Sequence, residues 1–149
     1  MKRLLLATAV IEAGAGLALL ARPSWFTGLL LALPLEGAVG TAVARVGGLG
    51  LLTLAVAAWF ASHDSQSCAA RGLVSAMVLY NLGAALILGA TSLTLHSAGI
   101  LLWPVVVVHA AMTIWCATQL LVHPAEQNID DARGRGCTSF WPQLKSSST

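Results

Sequence analysis

Four long apolar segments constrain this chain more than any other feature of its sequence. They cover approximately residues 4–21, 38–60, 72–91 and 98–122. Each is near or above the ~18–20 residues that a helix needs to cross a bilayer. A helix satisfies its own backbone hydrogen bonds in lipid, and the alternating pattern of an outer-membrane strand is absent. The pattern predicts an all-α integral membrane four-helix bundle within residues 1–123.

The composition of the chain also favours lipid as its solvent. Only 9% of the 149 residues are charged and 57% are hydrophobic, whereas a soluble domain has about 25% charged residues. The net charge of +2 comes with no basic stripe, so no nucleic-acid partner is predicted. The first segment is similar to a secretory signal, but a central Glu12 and the lack of a small-residue cleavage site favour a retained helix.

Two segments interrupt the apolar pattern. The connector 22–37 contains two prolines, which end helices, and the pair Trp25 and Phe26, which suits the headgroup level of a membrane. It predicts either a short interfacial helix or a simple linker anchored by its aromatic residues. The mixed charges and small residues of 124–149 predict a flexible cytoplasmic tail.

The basic residues are unevenly distributed between the two sides of the predicted bundle. Lys2 and Arg3 precede the first segment, Arg71 closes the loop after the second, and further basic residues lie in the tail. Arg22 falls on the opposite side. Because cytoplasmic loops carry an excess of Lys and Arg, both termini are predicted to face the cytoplasm.

Each long segment carries polar residues near its middle, namely Glu12, Arg45, Tyr80 with Asn81, and His109. A charge at mid-membrane costs ~2.5–3.5 kcal/mol on insertion scales. Facing each other, Glu12 and Arg45 would share hydrogen bonds and compensate their charges. We therefore expect an intramembrane charge pair between them, completed by the other three side chains. The same cluster could serve a purely structural purpose.

This predicted cluster suits the polar end of a lipophilic molecule such as a quinone, an isoprenoid or a sterol-like compound. Arg45 would hold an anionic or carbonyl oxygen, and Tyr80 and Asn81 would orient a polar head. Trp103 and Trp115 flank His109 along the chain and suit either an aromatic belt or a stacking wall. The predicted ligand-binding residues are Glu12, Arg45, Tyr80, Asn81, Trp103 and His109.

The sequence predicts no metal site and no cofactor. Bis-histidine haem ligation needs two histidines at one depth, and His109 alone lies centrally. The three cysteines, Cys68, Cys116 and Cys137, share no metal-ligand spacing. No phosphate loop, nucleophile elbow or dinucleotide fingerprint is present.

A faint internal repeat relates the two halves of the chain. The stretch "IEAGAGLALL" from Ile11 aligns with "YNLGAALILG" from Tyr80, which places Glu12 over Asn81. Two parallel hairpins would follow, a pattern known in membrane folds. Because small residues are common in membrane helices, coincidence is an alternative explanation.

Several short segments carry a resemblance to a known family. The stretches "ARVGGLGLL" (44–52), "YNLGAALIL" (80–88) and "LLWPVVVVHA" (101–110) follow a first helix with a central glutamate and a proline- and tryptophan-containing connector. Together, residues 1–122 resemble small bacterial four-helix membrane proteins that are broadly DoxX-like. The resemblance implies a multi-pass protein of the bacterial cytoplasmic (inner) membrane and a role near quinone redox chemistry. It implies no catalytic residues.

Three classes of function stay open at this point. The first, which the sequence favours, is a protein that binds a lipophilic small molecule through the polar cluster. The second is a membrane-embedded isomerase or cyclase with Glu12 and His109 as acid and base. The third is an accessory subunit, in a larger membrane complex or a homo-oligomer, whose polar cluster only fixes its fold. The first is favoured because a polar head site is recognisable and a catalytic signature is not.

Overall fold

The computed structural model describes residues 1–33, Leu35, 37–95 and 99–122, and the predicted tail 124–149 lies outside them. Within this part the chain is all-helical. Four of its five helices are long and apolar enough to cross a membrane, which confirms the predicted fold class. The helices are α1 (Lys2–Ala21), α2 (Pro23–Leu31), α3 (Gly37–Ala61), α4 (Cys68–Leu95) and α5 (Leu102–Val122).

The predicted segment ends differ from the helix ends mainly at α4 and α5. Helix α4 begins earlier than predicted because the Ser67 hydroxyl accepts a hydrogen bond from the N–H of Ala70 at 3.2 Å, which caps the helix start. Helix α5 begins later than the apolar run because the N–H groups of Gly99 and Leu101 donate to carbonyls of α2. Residues 99–101 therefore lie in the α4–α5 connection although the apolar run includes them.

Helices α1 and α3 pack antiparallel with their backbones in direct contact. A Cβ atom built on Gly16 would lie 2.7 Å from the carbonyl oxygen of Gly48, and one built on Gly48 would lie 2.9 Å from the carbonyl oxygen of Gly16. Glycine is therefore required at both positions, as in other close membrane-helix crossings. Helices α4 and α5 form a second closely packed pair, and the backbones of the two pairs approach each other at few places.

Large apolar side chains fill one end of the bundle, which we call the packed end. Here the terminal amino group of Met1 donates to Oε1 of Gln119 at 2.7 Å, which ties the start of α1 to the end of α5. The fully buried side chains between the two pairs lie in the same region. They are Leu4, Leu5, Ala70, Val74, Met77 and Cys116.

Helix α2 lies at the opposite end of the bundle and is fixed there by backbone hydrogen bonds. The N–H of Gly99 donates to the carbonyl of Leu30, and the N–H of Leu101 donates to the carbonyl of Leu29, both at 3.0 Å. Any side chain on Gly99 would overlap the backbone of Leu29. Of the two possibilities for this connector, the structure has the short helix, which starts at Pro23 and ends at Leu31, and Ala32 follows it in the left-handed conformation (φ 55°).

Substitution of Gly16 by Ala tests the backbone contact between α1 and α3. Gly14 in the same helix is the matched control, because a Cβ there would meet no atom within 4 Å. Both changes raise helix propensity equally. We therefore expect Gly16→Ala to be less stable than Gly14→Ala by about 1–3 kcal/mol, the cost of overpacking. Unfolding in mild detergent, followed by circular dichroism, measures the difference, and equal stability would contradict the direct contact.

Candidate ligand-binding cavity

A cavity of about 830 Å³ lies between the two helix pairs, on the α2 side of the packed end. All five helices contribute to its wall, which is almost entirely apolar. The polar side chains in the wall are Glu12, Tyr80 and His109. The volume falls within the range of roughly 300–1,000 Å³ that is usual for small-molecule sites.

The polar side chains of α1, α4 and α5 form one connected group at the edge of this cavity. The Tyr80 hydroxyl donates to Oε2 of Glu12 at 3.5 Å, and Nδ1 of His109 lies 2.7 Å from Oδ1 of Asn81. The Tyr80 and His109 rings meet edge to face, with centroids 5.7 Å apart. We call Glu12, Tyr80, Asn81 and His109 the polar layer. The structure thus brings together four of the six predicted ligand-binding residues.

The hydrogen bonds of Asn81 determine which nitrogen of His109 carries a proton. Asn81 is only 1% exposed, and its Nδ2 donates to the carbonyl of Met77 at 2.8 Å. A carbonyl only accepts, so the amide nitrogen must face Met77 and the amide oxygen must face His109. Nδ1 of His109 is therefore the donor in the 2.7 Å contact. In the neutral ring, Nε2 is then an acceptor.

Glu12 keeps most of its hydrogen-bonding capacity. It is 4% exposed, and within the described residues its side chain receives one hydrogen bond, from Tyr80 at the long distance of 3.5 Å. One turn earlier in α1, the buried Oγ1 of Thr8 has no hydrogen-bond partner in the same part of the chain. Since a carboxyl group has two oxygens that can each accept more than one bond, Glu12 can serve a further group in the cavity.

The expected pairing of Glu12 with Arg45 is not found, and Arg45 lies outside the cavity wall. Arg45 is exposed on α3, and no ion pair joins it to Glu12. The contact of Gly16 with Gly48 gives the reason. Glu12 precedes Gly16 in α1 and therefore lies nearer the packed end than this contact. Arg45 precedes Gly48 in the antiparallel α3 and therefore lies nearer the α2 end. At 1.5 Å per residue the two Cα atoms are about 10 Å apart along the bundle, beyond the spacing the sequence suggested.

Trp103 also lies away from the cavity. It is 51% exposed near the start of α5 and is not part of the cavity wall. Of the two predicted alternatives, this position suits an aromatic belt rather than a stacking wall. Trp115 is exposed as well.

Several apolar residues of the wall were not predicted as site residues. Phe26 and Leu30 of α2 face the cavity from its far end, one turn apart on the same helix face, and Gly83 of α4 leaves space beside the polar layer. Apolar side chains give no chemical signal in an apolar sequence. Within the described residues, no group of three or more His, Cys, Asp or Glu side chains is arranged to hold a metal ion.

No family model, curated protein or solved structure matches this chain. The resemblance to DoxX-like proteins therefore stays a prediction from short motifs. The fold and the cavity define the class on their own. This is a small helical membrane protein, with four helices of membrane-spanning length and a largely apolar cavity between two helix pairs.

A double-mutant cycle tests the hydrogen bond between Asn81 and His109. Asn81→Leu leaves the His109 N–H unpaired, His109→Phe leaves the Asn81 oxygen unpaired, and the double variant removes both. We expect a coupling energy of about 0.5–1.5 kcal/mol, the range for interhelical hydrogen bonds in membranes. Unfolding of the four proteins in detergent measures it. Strictly additive effects would show that the two side chains do not interact.

Proposed function

We propose that this protein is a multi-pass protein of the bacterial cytoplasmic membrane that binds a lipophilic small molecule with one polar end. A quinone-, isoprenoid- or sterol-like compound has this character. The observation that carries the proposal is the cavity of about 830 Å³, whose wall is apolar except at the polar layer. The apolar part of the ligand would lie between the helix pairs, and its polar end would meet Glu12 and His109.

The polar layer provides the selectivity of such a site. Lipid tails are as apolar as the cavity wall, so apolar contact alone would not draw a molecule out of the bilayer. A hydrogen bond to a protein group in the cavity makes binding more favourable than remaining in the bilayer, because the bilayer interior offers few partners for a polar head. Glu12 and His109 both face the cavity and both keep unused hydrogen-bonding capacity within the described residues.

The charge distribution supports an orientation with the packed end in the cytoplasm. Lys2 and Arg3 lie at the start of α1, and Arg71 lies in the first turn of α4, all at the packed end. Arg22 lies at the α2 end. By the positive-inside rule the packed end is cytoplasmic, and the cavity occupies the outer half of the membrane.

Reporter domains inserted into the full chain test this orientation. We expect alkaline phosphatase, which is active only outside the cytoplasm, to be active after Leu33 and inactive after Gln66. A fluorescent protein that folds in the cytoplasm should give the reverse result. The opposite pattern for both reporters would contradict the orientation.

Filling the cavity tests the binding proposal itself. A Cβ on Gly83 would meet no atom within 4 Å, so Gly83→Phe places a ring in the cavity without a backbone clash. We expect native mass spectrometry in mild detergent to show a bound lipophile on the wild-type protein and its loss in Gly83→Phe. Gly14→Phe adds the same ring on the exposed face of α1 and should retain the ligand.

Two outcomes of this experiment would contradict binding in the cavity. A lipophile that persists in Gly83→Phe lies on another surface of the protein. A wild-type protein that carries no lipophile, and takes up none when purified with added isoprenoids, quinones or sterols, does not bind this class of molecule.

A further inference from the structure

We propose that the ligand carries a hydroxyl group, which donates a hydrogen bond to Nε2 of His109. The ligand class is thus a lipophilic alcohol, such as a prenol or a sterol, rather than the corresponding ether, aldehyde or acid. This inference rests on the proposed function and names the chemistry of the head that the same cavity selects.

The Asn81 amide and Nδ1 of His109 already have hydrogen-bond partners within the protein. The amide of Asn81 uses its nitrogen on the carbonyl of Met77 at 2.8 Å and its oxygen on Nδ1 of His109 at 2.7 Å. Asn81 is buried outside the cavity wall, so Nδ1 of His109 points away from the cavity contents. Nε2 is the remaining polar atom of the His109 ring, and the structure describes no hydrogen-bond partner for it. In the neutral ring it is an acceptor, which requires a donor on the ligand.

The other polar groups of the wall are compatible with a hydroxyl head. The Tyr80 hydroxyl donates its hydrogen bond to Glu12, so its oxygen can act only as an acceptor toward a further group. A hydroxyl group has one proton and two lone pairs, so it can donate to Nε2 of His109 and accept a hydrogen bond from the protonated carboxyl of Glu12. An ether or an aldehyde accepts only, and it would leave Nε2 without a partner.

The composition of the cavity wall disfavours an anionic head. Among the described wall residues there is no Lys or Arg side chain, because Arg45 lies on an exposed face of α3. A ligand carboxylate beside Glu12 would place two acidic groups together with no cation between them. Like charges this close in a medium of low dielectric repel strongly.

A matched ligand series tests the inference. Farnesol, its methyl ether, the aldehyde, the acid and the amine share one isoprenoid chain and differ only in the head. Binding to the full-length protein in detergent is measured by the shift of the thermal unfolding temperature, with Gly83→Phe as the baseline for partition into the micelle. We expect the alcohol to bind about tenfold more tightly than the ether and the aldehyde, since both leave a buried acceptor unpaired.

Two variants connect this preference to His109. His109→Phe should bind the alcohol and the ether equally, because the acceptor is gone and the ring remains. Gly14→Phe should keep the wild-type preference. If His109→Phe does not fold, nitrogen NMR of ¹⁵N-histidine-labelled wild-type protein replaces it. We then expect a ring protonated on Nδ1 whose Nε2 signal shifts when the alcohol binds and does not shift with the ether.

The possible outcomes separate this inference from the proposed function. Binding of all five compounds with equal affinity, or tighter binding of the aldehyde, the acid or the amine, overturns the hydroxyl inference and leaves the cavity as a binding site. A His109 ring protonated on Nε2 in the ligand-free protein also overturns it. No binding of any compound, together with no lipophile on the purified protein, overturns both.

Discussion

The contact of Gly16 with Gly48 is the constraint on which the rest of the arrangement depends. Because the two backbones touch, α1 and α3 behave as one unit, and the face that α3 turns toward α1 is fixed. At 3.6 residues per turn, Leu51, which faces the cavity, and Arg45 are roughly 120° apart on α3, on opposite sides of the contact. The same glycine contact therefore sets one wall of the cavity and keeps the arginine out of it.

The sequence predicts the depth of a residue in the membrane better than the side of the helix on which that residue lies. Length and apolarity are enough to find the four long helices, because a span of fixed thickness requires them. The mid-segment positions of Glu12, Asn81 and His109 correctly place them in one layer, since the rise per residue is constant. The rotation of each helix about its own axis is not predicted in this way, because a helix that is apolar on every face carries no apolar stripe that would identify its inner side. The expected inward position of Arg45 was wrong for this reason.

The side-chain hydrogen bonds of the polar layer differ from most others in the described helices, because they join one helix to another. Most hydroxyl groups in the described helices bond to a carbonyl three or four residues earlier in their own helix, as Thr53 does with Gly50 and Thr113 does with His109. Such bonds do not join one helix to another. By contrast, Asn81 of α4 is hydrogen-bonded to His109 of α5, and Tyr80 of α4 is hydrogen-bonded to Glu12 of α1.

The uneven filling of the bundle favours a pivoting of the two helix pairs about the packed end. Large side chains hold the two helix pairs together at the packed end, whereas farther along the cavity separates them. For a helix of about 30 Å, a tilt of roughly 10° at the packed end moves the other end by about 5 Å. Helix α2 is bonded to the α4–α5 connection and follows α1 in the chain, so it links the two pairs at this end, and the backbone leaves the helical conformation at Arg22 (φ −141°, ψ 66°) on the way to it. A small rotation at a well-packed pivot is thus enough to change the width of the space between the pairs by the thickness of a hydrocarbon chain.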